Sequence, residues 1–432
     1  MDTPISIFWF RRDLRWNDNH GLFQALDSGY KVLPIFIFDN AILDDLEDQH
    51  DRRVDFIYQA LEHLNSQHPY IHYFYGKPLE IFKELTSQYK IASVFCNEDY
   101  EPYAIRRDTE VKDFLESKNI MFQSYKDQMI FAKDEILKAD GNPYTVYTPY
   151  SKQWLNRLSE TLIQQYPSEK HLDQLYKAEK PSHLTLDDIG FKSTELNYQP
   201  PKIPYQQLED YDKKRNIPAL DATSKQSVHL RFGTISPRTA VLEAKKINFT
   251  WLKELIWREF FMQILWHFPN VVSQPFRDKY AGFQWKNNEA DFKTWCEGKT
   301  GFPLVDAGMR ELNATGFMHN RVRMLVASFL VKDLQIDWRW GEAYFANKLL
   351  DFDLAQNNGN WQWAAGTGVD AAPYFRVFNP DLQLDKFDKN RAYVKRWIPE
   401  FGTKDYPEPM LKHKAARAEF LAKMKEIDKF RP

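Results

Sequence analysis

The sequence has few cysteines and no long apolar run. Cys96 and Cys296 are the only two among 432 residues, too few for a disulfide framework or a four-thiolate metal site. No stretch approaches the ~18 apolar residues that a membrane helix needs. The first residues run directly into a strand-like pattern, which is not typical of a signal peptide. We therefore expect a cytoplasmic protein with neither a membrane partner nor a bound metal.

The usual nucleotide-binding fingerprints are also missing. No GxGxxG follows the first predicted strand, and GxxxxGK[ST] occurs nowhere. The net charge of −2 alone argues against a nucleic-acid partner. However, residues 225–432 carry 32 Lys and Arg against 24 Asp and Glu, whereas residues 1–224 carry 26 against 36. This asymmetry favours a polyanionic partner for the C-terminal half.

Aromatic residues are abundant, at 16% of the chain. Ten of the 13 tryptophans lie between Trp251 and Trp397. One interpretation is a large aromatic core. The other is a site that stacks on flat π-systems. Composition alone leaves both interpretations open.

The first 130 or so residues alternate short apolar runs with longer amphipathic ones. Strand–helix alternation at this spacing predicts a parallel sheet with helices on both faces. Continuously apolar strands are typical of strands buried on both sides. Arg52–Leu64 and Pro78–Tyr89 have helical patterns, and the predicted strands are Ile5–Phe10, Lys31–Asp39, Ile71–Tyr75, Ala92–Asn97 and Ile120–Tyr125.

The remainder of the chain has a different pattern. Residues 132–204 are proline-punctuated and predict a long connector, with Tyr144–Pro149 as strand or loop. From residue 205 the pattern is helical, with predicted helices at Trp251–His267, Val305–Ala314, Arg321–Asp333 and Glu342–Asp351. The predicted fold class is α/β plus all-α. It comprises a doubly wound, Rossmann-like domain (1–131), a connector (132–204) and a helical domain (205–432).

Two short segments carry chemistry that an ordinary structural role explains equally well. Thr223–Ser227 (TSKQS) precedes a helical run, where it would bind a phosphate or serve as a simple N-cap. Glu254 and Trp257 are three residues apart on one helix and share a face. That pair would contact a flat ligand, or Trp257 would lie in the core.

Two further segments are richer in polar and aromatic side chains. His319–Met324 (HNRVRM) places two arginines beside an amide, which suits phosphate binding or a surface salt-bridge helix. Residues 351–363 (DFDLAQNNGNWQW) combine acids, amides and two indoles, which are poor core material because buried polar groups need partners. In a helix, Trp361 and Trp363 would point about 200° apart. For residues 351–363 we favour a functional interpretation.

Taken in order, the motifs resemble those of the DNA photolyase/cryptochrome family. They are WFRRDLRWNDN, PYTVYTPYSKQW, ELIWREFF, EGKTGFPLVDAGMREL, GFMHNRVRMLVASFLVKDL, DWRWGE, NNGNWQWAAGTGVDAAPYFRVFNP and KFD. The resemblance spans nearly the whole chain and implies an α/β domain, a long connector and a helical FAD domain. His319–Asn320, Met324, Glu254, Trp257 and Trp363 resemble those of a bacterial class I cyclobutane pyrimidine dimer photolyase.

The resemblance implies roles for individual residues. The FAD ribose and phosphates are expected at Tyr211, Thr223, Ser224, Lys225, Gln226 and Ser227, with Trp251 nearby. The flavin is expected to contact Asp351, Phe352 and Asp353, with Arg323 pairing Asp351, and Asn357 is expected to face its reactive ring nitrogen. Trp361, Trp338 and Trp285 match a chain that conducts electrons from the surface. The DNA groove and dimer pocket match Arg215, Glu254, Trp257, Asn320, Arg321, Met324, Trp363 and Gln383.

The implied activity is light-dependent repair of cyclobutane pyrimidine dimers in DNA, by electron transfer from excited reduced FAD in a monomeric lyase. Glu254 would stabilise the dimer radical anion. One alternative is a cryptochrome-type photoreceptor without repair activity, and another is a light-independent flavin oxidoreductase or plain DNA-binding protein.

Some details of the implied site stay open. Where the family usually has DGD and NNGGW, this chain has Phe352 and Asn360 in place of a glycine. Its phosphate loop reads TSKQS, whereas TSRLS is more common in the family. A second, antenna chromophore (folate or deazaflavin) is expected, and Asn97 and Glu98 are a weak indication of folate.

Overall fold

Parallel strands form the centre of the N-terminal part of the molecule. The computed structural model describes residues 3–160, 162–178, 182–371 and 373–430. Within these residues five strands pair in parallel, in the order β3-β2-β1-β4-β5. Their bounds are β1 Ile5–Phe10, β2 Lys31–Asp39, β3 His72–Gly76, β4 Ile91–Asn97 and β5 Met121–Tyr125. The predicted parallel sheet is therefore confirmed, with the order reversing between β1 and β4.

The central apolar strands β1, β2 and β4 are buried on both faces. All six residues of β1 are buried, and Trp9 pairs in register with Ile35 of β2 and Cys96 of β4. One face packs on helices α4 and α5. This burial explains why the strand sequences are continuously apolar. The helices here are α1 His20–Leu26, α2 Asn40–Leu43, α3 Arg52–Gln67, α4 Pro78–Gln88 and α5 Pro102–Ser117.

The chain divides into two units whose segments interleave. The first unit comprises Met1–Glu135, Trp154–Ile203 and Lys225–Lys246, and the second comprises Ile136–Gln153, Pro204–Ser224 and Ile247–Pro432. This division differs from the predicted boundaries after residues 131 and 204. The expected connector contributes to both units, and residues 225–246 belong with the sheet instead of with the later helices.

A buried ionic network explains why residues 225–246 belong to the first unit. Arg238 donates from Nε to Asp18 at 2.9 Å and from Nη2 to Asp127 at 2.7 Å. Arg15 also pairs with Asp127 and donates to the Gly233 carbonyl at 2.9 Å. Burial alone would raise the pKa of Asp127, but Arg15 and Arg238 lower it below its usual value. Each buried charge therefore has a partner, which it needs in a low-dielectric interior.

The second unit is built from helices. Between the strands and these helices the chain forms α6 Tyr147–Glu160, so the expectation of strand or loop at Tyr144–Pro149 is wrong for its second half. The later helices are α7 Tyr205–Glu209, α8 Tyr211–Lys214, α9 Ser227–Phe232, α10 Pro237–Ile247, α11 Phe249–His267, α12 Glu289–Cys296, α13 Pro303–Thr315, α14 Asn320–Ser328, α15 Trp338–Lys348, α16 Leu354–Ala365, α17 Pro380–Phe387, α18 Ala392–Trp397 and α19 His413–Phe430. Of these, α9 and the part of α10 up to Lys246 belong to the first unit.

Two predicted helices of this unit have different bounds. The predicted helix Arg321–Asp333 is α14 followed by one turn of π-helix at Phe329–Asp333. The predicted helix Glu342–Asp351 lies four residues earlier, because Asp337 caps α15 by accepting from the Arg339 backbone N–H at 3.0 Å. A large buried cluster around Trp295, Leu330 and Trp361 forms the core.

The described residues contain neither a membrane-spanning helix nor a metal-binding cluster. None of their helices is both long enough and apolar enough to cross a bilayer. Nor does any group of three or more His, Cys, Asp or Glu side chains among them have an arrangement that would hold a metal ion.

Candidate active site

A cavity of about 610 Å³ lies within the second unit. It is bounded by α14, α15, α16 and the turn between the last two helices. This volume includes open solvent at the cavity mouth. The lining residues are Asn320, Arg323, Met324, Ala327, Phe345, Leu349, Asp351, Phe352, Asp353, Gln356, Asn357, Asn360, Trp361, Trp363 and Ala364. Residues of segment 351–363, which we favoured as functional, and of segment 319–324, for which a surface helix was the alternative, therefore meet at one cavity.

Two glycines allow α16 to pack closely against its neighbours. A Cβ on Gly359 would lie 2.2 Å from the Phe261 ring of α11. A Cβ on Gly341 of α15 would lie 2.1 Å from the Trp361 ring. Both distances are too short for a real carbon contact, so these positions require glycine. The close approach fixes the indole of Trp361 at the cavity wall.

A charged pair closes one end of the cavity. Arg323 Nη2 donates to both carboxylate oxygens of Asp351, at 3.1 and 3.0 Å, which is the pairing expected from the resemblance. Arg323 Nε also donates to the Met318 carbonyl at 2.6 Å. The pair holds a cation and an anion at the cavity edge in fixed orientation. Phe352 and Asn360, the two departures from the family pattern, also line the cavity.

Asn357 lines the cavity, and its amide nitrogen is bound by Glu342. Its Nδ2 donates to the Glu342 carbonyl oxygen at 3.0 Å and to Glu342 Oε1 at 2.8 Å, so both amide hydrogens are used. The assignment of the amide atoms follows from this network. Burial raises the pKa of Glu342, and the hydrogen bond from Asn357 opposes that rise. The sequence analysis singled out Asn357 but missed Glu342.

The three tryptophans expected to conduct electrons differ in burial. Trp361 and Trp338 are both 2% exposed, whereas Trp285 is half-buried. Trp338 shares a face of α15 with Gly341, whose backbone touches the Trp361 ring. The ring of Trp361 also lies 4.9 Å from Phe345 and 6.2 Å from Trp295, between ring centroids. Trp295 is a neighbour that sequence reasoning missed.

A second group of predicted residues surrounds Glu254. Arg215 forms an ion pair with Glu254. One turn along α11, Trp257 stacks on Tyr147, with centroids 3.6 Å apart and planes 5° from parallel. The Tyr147 hydroxyl donates to the Lys253 carbonyl at 2.9 Å, which fixes the stack. Trp257 is half-buried, so it retains exposed ring surface, and Tyr147 is a further residue that we missed.

Arg321 extends this group toward the cavity. Its Nη1 lies 3.6 Å from the sulfur of Met324, which lines the cavity. Burial lowers the pKa of Arg321, and the charges of Arg215 and Arg376 lower it further, opposed by Glu254. Around Arg321 the charges of Arg215 and Arg376 are opposed by that of Glu254, which favours a positive potential here. Gln383 is half-buried on α17.

The residues expected at the ribose and phosphates are not among those that line the cavity in the described chain. Tyr211 is buried, and the guanidinium carbon of Arg215 lies 5.2 Å from the centroid of its ring. Trp251 is also buried and is 1% exposed. Thr223 and Ser224 belong to the second unit, whereas Lys225, Gln226 and Ser227 belong to the first. Gln226 donates to the Lys202 carbonyl at 3.1 Å, and Ser227 begins α9.

The structure gives Asn97 a structural role. Its Nδ2 donates to Asp13 at 2.5 Å and Asn19 at 2.8 Å, and its Oδ1 accepts from the Gly21 N–H. Glu98 pairs with Lys133 at 2.7 Å. With its amide fully used, Asn97 no longer supports the indication of a folate antenna.

Other cavity residues were recoverable from helical spacing. Gln356, Asn360 and Ala364 lie on one face of α16 at four-residue intervals, and Phe345 and Leu349 do so at the end of α15. Asn216 and Phe387, which contact Arg321, lie far from it in sequence and gave no signal.

Comparison with known protein families identifies two matching regions. Residues 6–169 match the model described as DNA photolyase. Residues 251–403 match the model described as the FAD binding domain of DNA photolyase. The second match contains the cavity-lining segments 320–327 and 345–364.

Individual relatives match along almost the whole chain. A deoxyribodipyrimidine photo-lyase of Synechococcus sp. is 36% identical, over 98% of this chain and 96% of its own. The crystal structure of a class III photolyase from Agrobacterium tumefaciens superposes with a TM-score of 0.85 and 31% identity, covering 99% and 98% of the two chains. A Synechocystis cryptochrome superposes with a TM-score of 0.84 and 25% identity, covering 97% and 99%.

Proposed function

Because the chain belongs to the DNA photolyase family, we propose that it uses light to split cyclobutane pyrimidine dimers in DNA, with FAD as its cofactor. The observation that carries this proposal is the cavity of about 610 Å³, where the Arg323–Asp351 pair, the Asn357 amide and the indole of Trp361 converge. The class I assignment rests on the individual pocket residues and stays a prediction.

The residues around the cavity fit the isoalloxazine ring of FAD. Such a ring is flat and apolar on its faces, with hydrogen-bonding groups at its edges. The cavity offers aromatic walls in Phe345, Phe352 and Trp361, and edge partners in Asn357 and the Arg323–Asp351 pair. When bound, reduced and light-excited, FAD supplies the electron that opens the cyclobutane ring. Ribose and phosphate contacts are proposed at Tyr211, Thr223, Ser224, Lys225, Gln226, Ser227 and Asp353, with Trp251 nearby.

Asn357 favours the reduced cofactor by its orientation. Glu342 accepts both amide hydrogens of Asn357, so the amide oxygen is the atom left to accept a hydrogen bond. The reactive nitrogen of a flavin carries a hydrogen only in the reduced forms. Because Glu342 prevents the amide group of Asn357 from turning over, its oxygen and not its N–H would face this nitrogen. Asn357 therefore binds the reduced ring better than the oxidised ring.

Removing the Glu342 side chain is expected to lower the midpoint potential of bound FAD. In Glu342→Ala, one partner of the Asn357 amide is lost and the amide is freer to turn. A hydrogen bond of about 1 kcal/mol corresponds to about 20 mV for a two-electron couple. Spectroelectrochemical titration measures the potential, with Glu342→Gln as the control that keeps the acceptor oxygen. An unchanged or higher potential in Glu342→Ala would contradict this role.

We propose that the DNA-binding surface is the arginine-rich group beside the cavity. Arg215, Arg321 and Arg376 supply positive charge for the phosphate backbone, so binding should weaken as salt increases. The dimer would leave the base stack, as do the targets of other enzymes that act on bases. Asn320, Met324 and Trp363 line the cavity, and Trp257 has exposed ring surface held by Tyr147. Gln383 is assigned to the same surface.

Glu254 is proposed to stabilise negative charge on the dimer during repair. Its carboxylate is paired with Arg215 in this structure. A hydrogen-bond donor or cation aimed at developing charge lowers the barrier where water is excluded. Glu254 is that donor when its carboxyl group carries a proton, and Arg215 holds it in place.

Irradiation of dimer-containing DNA tests the proposed function. Purified protein with chemically reduced FAD should convert the dimers to pyrimidines under blue or near-UV light and leave them unchanged in the dark. Chromatography of the digested DNA measures the product. A photoreceptor of the cryptochrome type would leave the dimers intact in the light, and a flavin oxidoreductase would turn over without light.

Three further assignments accompany this function. We propose a monomer, a cytoplasmic location and a second light-harvesting chromophore. Cys96 is a buried free thiol and Cys296 a half-buried one, as is usual in a reducing compartment. Light scattering measures the mass in solution, and mass spectrometry of small molecules released from native protein identifies the chromophores.

A further inference from the structure

The guanidinium group of Arg321 is held from two sides. Its Nε and Nη2 donate to Oδ1 of Asn216 at 3.2 and 2.7 Å. The carbon of the guanidinium lies 4.6 Å from the centroid of the Phe387 ring. Such contacts suit a planar guanidinium, which both stacks on rings and donates in a fixed fork. The side chain therefore has a defined orientation before any ligand arrives.

Both of these partners are electrically neutral. Within the described chain Arg321 forms no ion pair, and the nearby carboxylate of Glu254 is already paired with Arg215. Arg215 and Arg376 lie close enough to lower the pKa of Arg321. An arginine held by an amide and a ring, among other arginines, keeps its full charge for an incoming anion.

Three N–H donors of Arg321 remain, two on Nη1 and one on the outer edge of Nη2. Nη1 lies beside Met324, which lines the cavity. Asn216 directly follows Arg215, so adjacent residues of one turn orient both Arg321 and Glu254. An anion bound by Arg321 would therefore lie at the cavity mouth, where the backbone of a flipped dimer must pass.

We propose that Asn216, together with Phe387, is a positioning residue that orients Arg321 to bind a DNA phosphate next to the dimer. This inference rests on the proposed function. Asn216 and Phe387 are both neutral and lie far apart in the sequence. They would strengthen the contact between Arg321 and the phosphate without touching the phosphate themselves.

The salt dependence of DNA binding tests the proposal. The dissociation constant for dimer-containing duplex is measured by fluorescence anisotropy over a salt series, in the dark. Loss of one phosphate contact lowers the slope of log K against log salt by about 0.9. We expect that decrease in Asn216→Ala and in Arg321→Ala, with affinity about fivefold weaker in Asn216→Ala at low salt. The double variant should match Arg321→Ala, because Asn216 acts through Arg321.

A purely structural role for Asn216 would leave the slope unchanged, since a neutral side chain releases no counterions. The control is Asn270→Ala, an exposed asparagine of the same unit, which should retain both slope and affinity. If Asn216→Ala fails to bind FAD, Phe387→Leu decides. A lower slope in Phe387→Leu supports the proposed positioning of Arg321, and a wild-type slope in that variant overturns it.

The proposed function is tested separately in the wild-type protein. A wild type that binds dimer-containing DNA but leaves dimers intact under light contradicts the function. A wild type that repairs, with Asn216→Ala retaining the full slope, contradicts only the role of Asn216.

Discussion

Replacing Trp361 with phenylalanine is expected to abolish light-driven reduction of oxidised FAD almost completely, while chemically reduced protein still repairs dimers. Trp361 lines the cavity and is 2% exposed, and Gly341 and Phe345 hold its ring. An indole is far easier to oxidise than a phenyl ring. Phenylalanine therefore keeps most of the packing and removes the proposed electron donor.

Trp295→Phe is the matched control. Trp295 is equally buried and lies 6.2 Å from Trp361, yet it does not line the cavity. Photoreduction is followed by the loss of oxidised-flavin absorbance under blue light with an external thiol, and repair is assayed after reduction with dithionite. Loss of both activities in Trp361→Phe would contradict the assignment, as would an equal loss of photoreduction in Trp295→Phe.

Replacing Glu254 with alanine is expected to lower the repair yield per photon several-fold without weakening DNA binding. DNA binding should not weaken because Glu254 forms an ion pair with Arg215. Without Glu254, the guanidinium of Arg215 is no longer neutralised, and the proposed DNA-binding surface gains one positive charge. Affinity for dimer-containing DNA should therefore be unchanged or slightly tighter.

Glu254→Gln separates the two effects of this substitution. Glutamine also removes the charge but retains a hydrogen-bonding group at the same place, so it should recover part of the repair yield. Yields are measured from light dose–response curves at saturating protein, and affinity in the dark. A normal yield in Glu254→Ala would exclude the proposed stabilisation.

The strands were predictable because both of their faces are buried. Ile5–Phe10 and Lys31–Asp39 were located to the residue, since continuous apolar runs bounded by polar residues leave few alternatives. Residues 225–246 were assigned to the helical part because their pattern is helical. Their true place depends on Arg238 meeting Asp18 and Asp127, more than 100 residues earlier in the chain, and no local pattern shows this.

The candidate site was predictable to the extent that it lies in compact motifs. Asp351–Asp353, Asn357, Trp361 and Trp363 fall within 13 residues, and all line one cavity. Residues that orient the side chains of the site were missed. Glu342, Asn216 and Tyr147 contact Asn357, Arg321 and Trp257, respectively, across at least 15 positions of sequence. Each would be an ordinary polar or aromatic side chain elsewhere.

The interleaved order of the two units has a consequence for synthesis. The sheet-containing unit takes its last segment from residues 225–246, and without Arg238 the carboxylates of Asp18 and Asp127 lose a buried counter-ion. On the ribosome, the nascent chain must therefore extend past residue 246 before this unit can complete its interior. Until then its strands are exposed to cellular chaperones, and gene fragments that end at residue 204 should yield insoluble product.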